Sequence, residues 1–368
     1  MSHEKGVVWK ETWLGHSETF IRDQLATMES WDFLKMGFHQ TEDPLLTPDF
    51  APYGRRRLDK LSRQLLGTSL HRSRYASKIK DFDASLVHAH FLSGGMTIAP
   101  LSSELRLPLV TTLHNPRVTP KEYGVPDHFR GVYRHRLSGL MRSSCHFVAV
   151  SRYVADAVIA AGLPRNRVDV IHIGTPIVPQ VFSDSREGII FVGRLIEMKG
   201  PMDLLRAVDS LPAKLRRVPV TIVGDGPLRS ELEKFSIDAG LNVQFTGWLA
   251  TNELPEILSS QRIFCAPSKA DSLGVREGFG MVYLEAALQG LPCVAYKSGG
   301  VVDAVQDGQT GLLVAEGDIL ALSRELESLL RDEAGACQLG WAGRQRAEQQ
   351  FDIKWQSHLL ETLLSNTQ

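Results

Sequence analysis

The chain has 368 residues, 43% of them apolar, with 41 Lys and Arg against 42 Asp and Glu; this make-up suits a soluble globular protein of two domains. No run of eighteen apolar residues occurs, and the start MSHEKGVVWKETW has neither an apolar core nor a small-residue cleavage site, so no membrane-spanning helix or secretory leader is expected. The four cysteines (Cys145, Cys265, Cys293, Cys337) are scattered without a C-x-x-C pair, which argues against a disulfide framework or zinc site and for reduced thiols in the cytoplasm.

The near-zero net charge hides an asymmetry: residues 1–178 carry 23 Lys and Arg against 17 Asp and Glu, and the remainder 18 against 25. A basic front half can face nucleic acid, anionic lipid or a phosphorylated substrate. In chain order, residues 6–9 (GVVW) read as a first strand and a loop containing Gly15 follows. Ser17 is placed to cap a helix through Phe20, Ile21, Leu25 and Met28. Strand, loop, helix opens an α/β unit, with Gly15 on the edge where such units take ligands. Residues 33–38 fit a second strand, and 41–54 a loop rich in Pro, Asp and Thr.

Residues 55–80 combine leucines at helical spacing (Leu58, Leu61, Leu65) with a cluster of Arg and Lys. They fit either a basic amphipathic helix on an anionic membrane or a surface helix packed by its leucines. Residues 86–91 (LVHAHF) form a strand, then Ser93-Gly94-Gly95 leads into a helix to about Leu105. The strand at 108–113 delivers His114 to its C-terminal end. His88 and His90 share one sheet face. A metal triad of His88, His90 and His114 is rejected, since no carboxylate or cysteine completes a familiar spacing. Residues 145–150 are a strand, Ser151 caps the next helix, and 168–173 form the last strand of a largely parallel sheet. Residues 174–187, with two prolines and no period, read as a linker.

The second half starts with a buried strand at 188–193 (GIIFVG), which runs into Arg194 and, five residues later, Lys199. A strand end that delivers two cations ahead of a helix begun by Pro201 suits a diphosphate, although two exposed surface cations also fit. Strands follow at 218–223, 243–246, 262–267, 291–295 and 312–314, and Trp248 stands just past the second of these. The GDGP run after 218–223 lacks the G-x-G-x-x-G spacing and a following acidic residue, so NAD binding is not expected.

The stretch EGFGMVYLEAALQG, residues 277–290, holds the most chemistry. Glycines ahead of a helix leave amides open to an anion, and the helix dipole favours negative charge there. Glu277 and Glu285 bracket that position, roughly 12 Å apart at ~1.5 Å per residue if the whole were helical. The arrangement can hold a nucleotide sugar, with sugar hydroxyls on Glu277, diphosphate on the glycine turn and ribose on Glu285. It also fits two solvated carboxylates.

The motifs FVGRLIEMKG, VTIVGDGPLRSELE, VQFTGWL, FCAPS, EGFGMVYLEAALQGLPCVAY and SGGVVDAVQDGQTGLLV, with Asp318 trailing, resemble in order and spacing the retaining glycosyltransferases of family 4. In the front half, SETFIRDQL, VHAHF, LVTTLHN and FVAVSRYVADAVIAAG look like members acting on exopolysaccharide and lipopolysaccharide precursors. The resemblance spans nearly the whole chain. It implies an α/β fold of the GT-B type: two Rossmann-like domains whose parallel sheets face each other across a cleft. The N-terminal, acceptor-side domain would cover 1–175 plus a returning helix at 351–368, which the apolar face of 351–364 (Trp355, Leu359, Leu360, Leu363) fits, and the nucleotide-sugar domain 188–350.

By the same resemblance His114, Glu277, Arg194 and Lys199 carry the catalysis. Gly15, Arg194, Lys199, Trp248, Gly278, Phe279, Gly280, Met281 and Glu285 meet the donor. No metal or cofactor is implied, the nucleotide-sugar donor being a co-substrate. The other implied partner is a glycan or lipid-linked acceptor; contact with an anionic membrane through 55–80 is a further option, and no nucleic acid is expected. Departures from the family pattern are the single Gly15 in TWLGHSE, the run Gly274-Val275-Arg276-Glu277-Gly278 where G-D-x-E-G is common, which lacks the acid and adds Arg276, and Asn115-Pro116 after His114. Other readings on the same architecture are a sugar-nucleotide epimerase or phosphorylase and a non-catalytic nucleotide-sugar binder.

Overall fold

The computed structural model describes residues 3–15, 18–41, 46–53, 68–181, 186–250 and 252–367. The chain divides into two compact units, one of residues 1–174 with 353–368 and the other of residues 175–352.

The first unit is built on strands β1 (Glu4–Trp9), β3 (Trp31–Met36), β5 (Leu86–His90), β6 (Leu109–Leu113), β7 (His146–Ala149) and β8 (Val168–Val170). They lie in the order β3-β1-β5-β6-β7-β8, and every pairing is parallel. A two-stranded ribbon, β2 (Thr12–Trp13) with β4 (His39–Gln40), sits past the ends of β1 and β3. Parallel strands are covered on both faces, which is why they read as continuous apolar runs: Val7, Val8 and Trp9 are all fully buried. The helices are α1 (Thr19–Thr27), α2 (Arg72–Phe82), α3 (Leu92–Leu105), α4 (Arg130–Arg142) and α5 (Arg152–Ala160).

Several expectations change here. The cap proposed at Ser17 lies outside the described residues, and Glu18, which precedes α1, provides no side-chain cap. Residues 55–67 of the basic segment also lie outside them. Its described remainder forms a short 3-10 turn and α2, which buries Tyr75 and Ile79 and pairs Arg72 with Glu104. Ser93-Gly94-Gly95 is the first turn of α3 rather than a loop ahead of it. A Cβ on Gly95 would stand 2.5 Å from the Thr111 hydroxyl of β6, so glycine lets the helix lie on the sheet. Helix α4 has no counterpart among the expected elements: RGVYRHRLSGLMR buries only Tyr133 and Leu140, too sparse a stripe to stand out among its arginines. Ser151 caps α5 by accepting from the Val154 amide at 3.1 Å.

The second unit holds β9 (Ile189–Val192), β10 (Val220–Val223), β11 (Val243–Gly247), β12 (Ile263–Cys265), β13 (Cys293–Tyr296) and β14 (Gly311–Val314). They form a parallel sheet in the order β11-β10-β9-β12-β13-β14. Its helices are α6 (Pro201–Asp209), α7 (Arg229–Asp238), α8 (Leu254–Ser259), α9 (Met281–Leu288), α10 (Val301–Ala304), α11 (Ile319–Arg331) and α12 (Glu333–Gln350). Pro201 opens α6, where its missing N–H costs nothing, and Asp318 caps α11 through the Ala321 amide at 2.8 Å. The described part of the segment read as a linker packs on this unit. The side chain of Gln289 accepts from the Val181 amide at 3.0 Å, and its carbonyl takes Arg186 at 2.7 Å.

The last helix, α13 (Ile353–Asn366), belongs to the first unit. Leu360 and Leu364 enter a core cluster with Met28, Trp31, Leu86, Val110 and Val148, and Leu359 and Leu363 pack against it. Trp355, expected on that face, is 52% exposed. The buried stripe is Ile353, Ser357, Leu360 and Leu364, and at about 100° per residue position 355 points well away from it.

Candidate functional site

In the second unit β9 lies between β10 and β12, so the chain leaves it in opposite directions along the sheet. Open parallel sheets bind ligands beyond the strands' C-terminal ends at such a reversal. The two loops there are residues 193–200 after β9 and 266–280 after β12. They are tied together by the Lys269 amide, which donates to the Met198 carbonyl at 2.8 Å. Arg194 and Lys199 stand on the first loop, the arginine exposed and the lysine in a 3-10 turn.

The second loop carries Glu277 and runs into α9 through Gly278, Phe279 and Gly280. Lys199 donates a hydrogen bond to the Glu277 carboxylate, with the two side chains 19% and 15% exposed. A cation and an anion assigned from motifs 78 residues apart therefore meet. Gly280 has φ 95°, and a Cβ there would also strike the Tyr283 ring at 2.5 Å, so glycine is required where the chain enters the helix. The N-terminus of α9 has no side-chain cap. A helix start of this kind can offer its first amides to an anion.

Beneath these loops lies a polar frame that motif spacing does not reveal. Lys269 grips Asp203 with both carboxylate oxygens at 2.9 and 3.0 Å, and the Tyr296 hydroxyl donates to the same carboxylate at 3.2 Å. Arg276, the departure from the family pattern, bonds through Nε to Glu316 at 2.8 Å. Glu316 also accepts from Ser298 at 2.7 Å and from the Ala270 amide at 2.9 Å. Burial alone would raise the Glu316 pKa, but the Ala270 amide, Arg276 and Ser298 outweigh it and hold it below the usual carboxylate range. The Gly300 amide donates to the Glu277 carbonyl at 2.8 Å, which locks the 298–300 turn under the same loop. Tyr283 anchors α9 from below by donating to the Ala266 carbonyl at 2.6 Å. No local spacing marks these partners, because they come from segments far apart in sequence.

Other expected donor residues stand as follows. Glu285 is half-buried in the second turn of α9. Residues 277–280 are not helical, so a fully helical span from Glu277 to Glu285 does not apply. The Phe279 ring is buried and packs edge-on against Phe351 at 5.5 Å, which leaves only its backbone for a ligand. Met281 is the half-buried first residue of α9, and Trp248 is 57% exposed just past β11.

In the first unit, the Gly15 amide donates to Glu18 at 3.1 Å, and Glu18 also takes the buried Lys10 ammonium at 2.9 Å. His114 stands at the end of β6, its Nε2 2.9 Å from Nδ1 of His90, with the two rings stacked 5.2 Å apart. His88 Nε2 lies 2.8 Å from the Thr112 hydroxyl. Burial pushes the pKa of His88 down to about 4 and that of His114 to about 3, and that of His90 well below its ordinary value. The nearby Lys10 charge adds to the effect on His90 and His114. All three imidazoles are therefore neutral hydrogen-bonding groups at physiological pH. Among the described residues no cluster of His, Cys, Asp and Glu is arranged to hold a metal ion. All four cysteines are free thiols, and only Cys337 is exposed.

Residues 176–346 match the family model "Glycosyl transferases group 1", and residues 39–177 match "Glycosyltransferase Family 4". A GDP-mannose-dependent alpha-(1-6)-phosphatidylinositol monomannoside mannosyltransferase of Mycolicibacterium smegmatis is 37% identical over 186 residues, covering 49% of this chain and 48% of that protein. The sulfoquinovosyl transferase SQD2 of Arabidopsis thaliana is 35% identical over 164 residues, 44% of this chain and 30% of its own length. The matched stretch thus spans about half the length of the first of these relatives, and less of the second. The crystal structure of Anabaena HepE with UDP and glucose superposes with a TM-score of 0.78 over 99% of this chain and 100% of that one, at 21% identity. Two family models that follow one another along residues 39–346, over two parallel-sheet units of this strand order, make the chain a member of the family-4 glycosyltransferases with the GT-B fold.

Proposed function

We propose that this protein moves a hexosyl group from a nucleotide-diphosphate sugar to a hydroxyl of a glycan or lipid-linked acceptor, with retention at the anomeric carbon, in polysaccharide or glycoconjugate synthesis. The observation that carries this reading is the gathering of three features where the second sheet reverses its strand order. These are the cations Arg194 and Lys199, the carboxylate Glu277 and the uncapped start of α9. The names of similar proteins support it: one uses GDP-mannose, and another is seen with UDP and glucose.

In this reading the donor diphosphate lies at the 193–200 loop and the first amides of α9, and takes Lys199 from Glu277. The freed Glu277 accepts hydrogen bonds from the donor sugar, and Glu285 accepts from the ribose. The bond between the anomeric carbon and the diphosphate oxygen breaks as the acceptor oxygen bonds to the same face of that carbon. The acceptor proton passes to the departing phosphate oxygen. Arg194, Lys199 and the helix terminus stabilise the charge that builds on the leaving group, so no metal ion is required. The neutral His114 offers a hydrogen bond to a sugar hydroxyl, not a charge.

Among the described residues no helix is long and apolar enough to cross a membrane. Peripheral contact with an anionic bilayer through residues 55–80 is part of the same proposal, and the exposed Lys78 and Lys80 of α2 suit it. Calorimetric titration with UDP, GDP and ADP, followed by transfer assays with the matching sugar donors, tests the activity. NMR of the product's anomeric proton tests the stereochemistry, and an inverted product would remove the retaining mechanism.

A further inference from the structure

Three neighbouring strands of the second unit, β12, β13 and β14, end side by side, and Glu316 reaches in from just past the last of them. Its Oε1 accepts from the Ala270 amide, and its Oε2 accepts from the Ser298 hydroxyl and from Nε of Arg276. Ala270 and Ser298 thus fix Glu316, and Glu316 fixes Arg276. The backbone beside this clasp is also pinned. Gly299 has φ 55°, and a Cβ on it would stand 2.8 Å from Cβ of Arg276 and 2.5 Å from the Glu277 carbonyl oxygen. The 298–300 turn therefore lies directly on residues 276 and 277.

The ion pair has a consequence for Glu277. Arg276 is its chain neighbour, and an arginine reaches a carboxylate one residue away: Arg22 and Asp23 of this chain pair at 2.6 Å. Without Glu316, the Arg276 guanidinium gains a charge-assisted bond by turning to Glu277. Lys199 already holds that carboxylate, but a diphosphate competes for the lysine. An arginine on Glu277 would stay there and cover the oxygens that sugar hydroxyls need.

We propose that Glu316 is a positioning residue for the donor sugar: it holds Arg276 off Glu277, so that this carboxylate is open to sugar hydroxyls once the diphosphate takes Lys199. The inference rests on the transferase reading and deepens it by naming what keeps the sugar's carboxylate available. The test compares Glu316→Gln, Arg276→Leu and the double variant in the full chain. Glutamine keeps an oxygen for the Ala270 amide and loses the charge that holds Arg276. Calorimetry uses UDP and GDP beside UDP-glucose and GDP-mannose. In Glu316→Gln the bare nucleotide should bind as in wild type or up to about threefold more tightly, because Arg276 shares Glu277 with Lys199 and loosens its hold; the sugar nucleotide should lose about tenfold relative to the bare one, the range of one charge-assisted hydrogen bond. Arg276→Leu alone should stay close to wild type, and adding it to Glu316→Gln should restore about threefold or more, because the competing cation is gone. A clasp that only supports the loop gives another pattern: both ligands weaken together and the second substitution adds to the damage, which overturns the proposal. A crystal structure of Glu316→Gln gives the answer without any ligand. Arg276 bonded to Glu277 supports the proposal, and Arg276 turned elsewhere overturns it. Failure of UDP and GDP to bind the wild-type chain counts instead against the transferase reading, and the crystal structure still decides where Arg276 goes.

Discussion

Lys199 and Glu277 are bonded to each other, although one follows β9 and the other follows β12. In the proposed reading each is the partner that a nucleotide sugar would claim from the other. The carboxylate therefore competes with a diphosphate for the lysine, and two substitutions should have opposite effects on a free nucleotide.

Glu277→Gln removes the competing charge, so the nucleoside diphosphate alone should bind more tightly, by about threefold to tenfold for part of one charge-assisted hydrogen bond. Sugar transfer should fall even so, because the sugar loses its acceptor. Lys199→Ala should weaken the diphosphate by about tenfold to a hundredfold, corresponding to roughly 1.5–3 kcal/mol, and nearly abolish transfer. Calorimetry with the diphosphate and an initial-rate assay read both. Normal turnover in Lys199→Ala would remove the diphosphate assignment.

Glu285→Ala should weaken the ribonucleotide by about tenfold, as expected for hydroxyls donating to a charged acceptor. The same substitution should leave a 2′,3′-dideoxynucleoside diphosphate unaffected. An equal loss with both nucleotides would show that Glu285 supports the helix and does not touch the ribose.

The stacked histidines predict a pH response. Their folded pKa values lie below the ordinary one, so from about pH 6.5 downward the unfolded chain binds protons that the folded chain refuses. Stability of the first unit should therefore fall with pH from about 6.5 toward about 3, with this contribution fully present above that window. The imidazole signals of His88, His90 and His114 should not titrate between pH 5 and 8 by NMR. A midpoint near 6.5 at His114 would contradict the neutral role given to it.

Leu360→Ala should cost about 2–5 kcal/mol in urea unfolding, since it empties a fully packed position beside Trp31 and Leu86. Trp355→Ala should be nearly neutral, because that ring is more than half exposed. The reverse ranking would mean that α13 docks by its other face.

Much of the molecule is legible in the amino-acid sequence alone. Apolar runs such as GIIFVG and LVTTL mark strands, because a parallel strand buried on both faces must be apolar throughout. Pro201, Ser151 and Gly280 mark helix starts, because caps and left-handed turns demand particular residue types. Arg194, Lys199, Glu277 and Glu285 stand out because they sit at strand ends and beside a glycine turn. What the sequence hides depends on contacts between distant segments. The Lys199–Glu277 bond, the Glu316 carboxylate joining Arg276, Ser298 and Ala270, and the Asp203 pair under Lys269 follow from strand order. Helix α4 escapes a periodicity reading, because an arginine-rich stretch with two buried residues has almost no periodic signal. Trp355 turns outward against expectation because composition marks a residue as apolar, while the turn of the helix sets which way it points. Local chemistry chooses the elements, and packing of non-adjacent strands chooses which side chains meet.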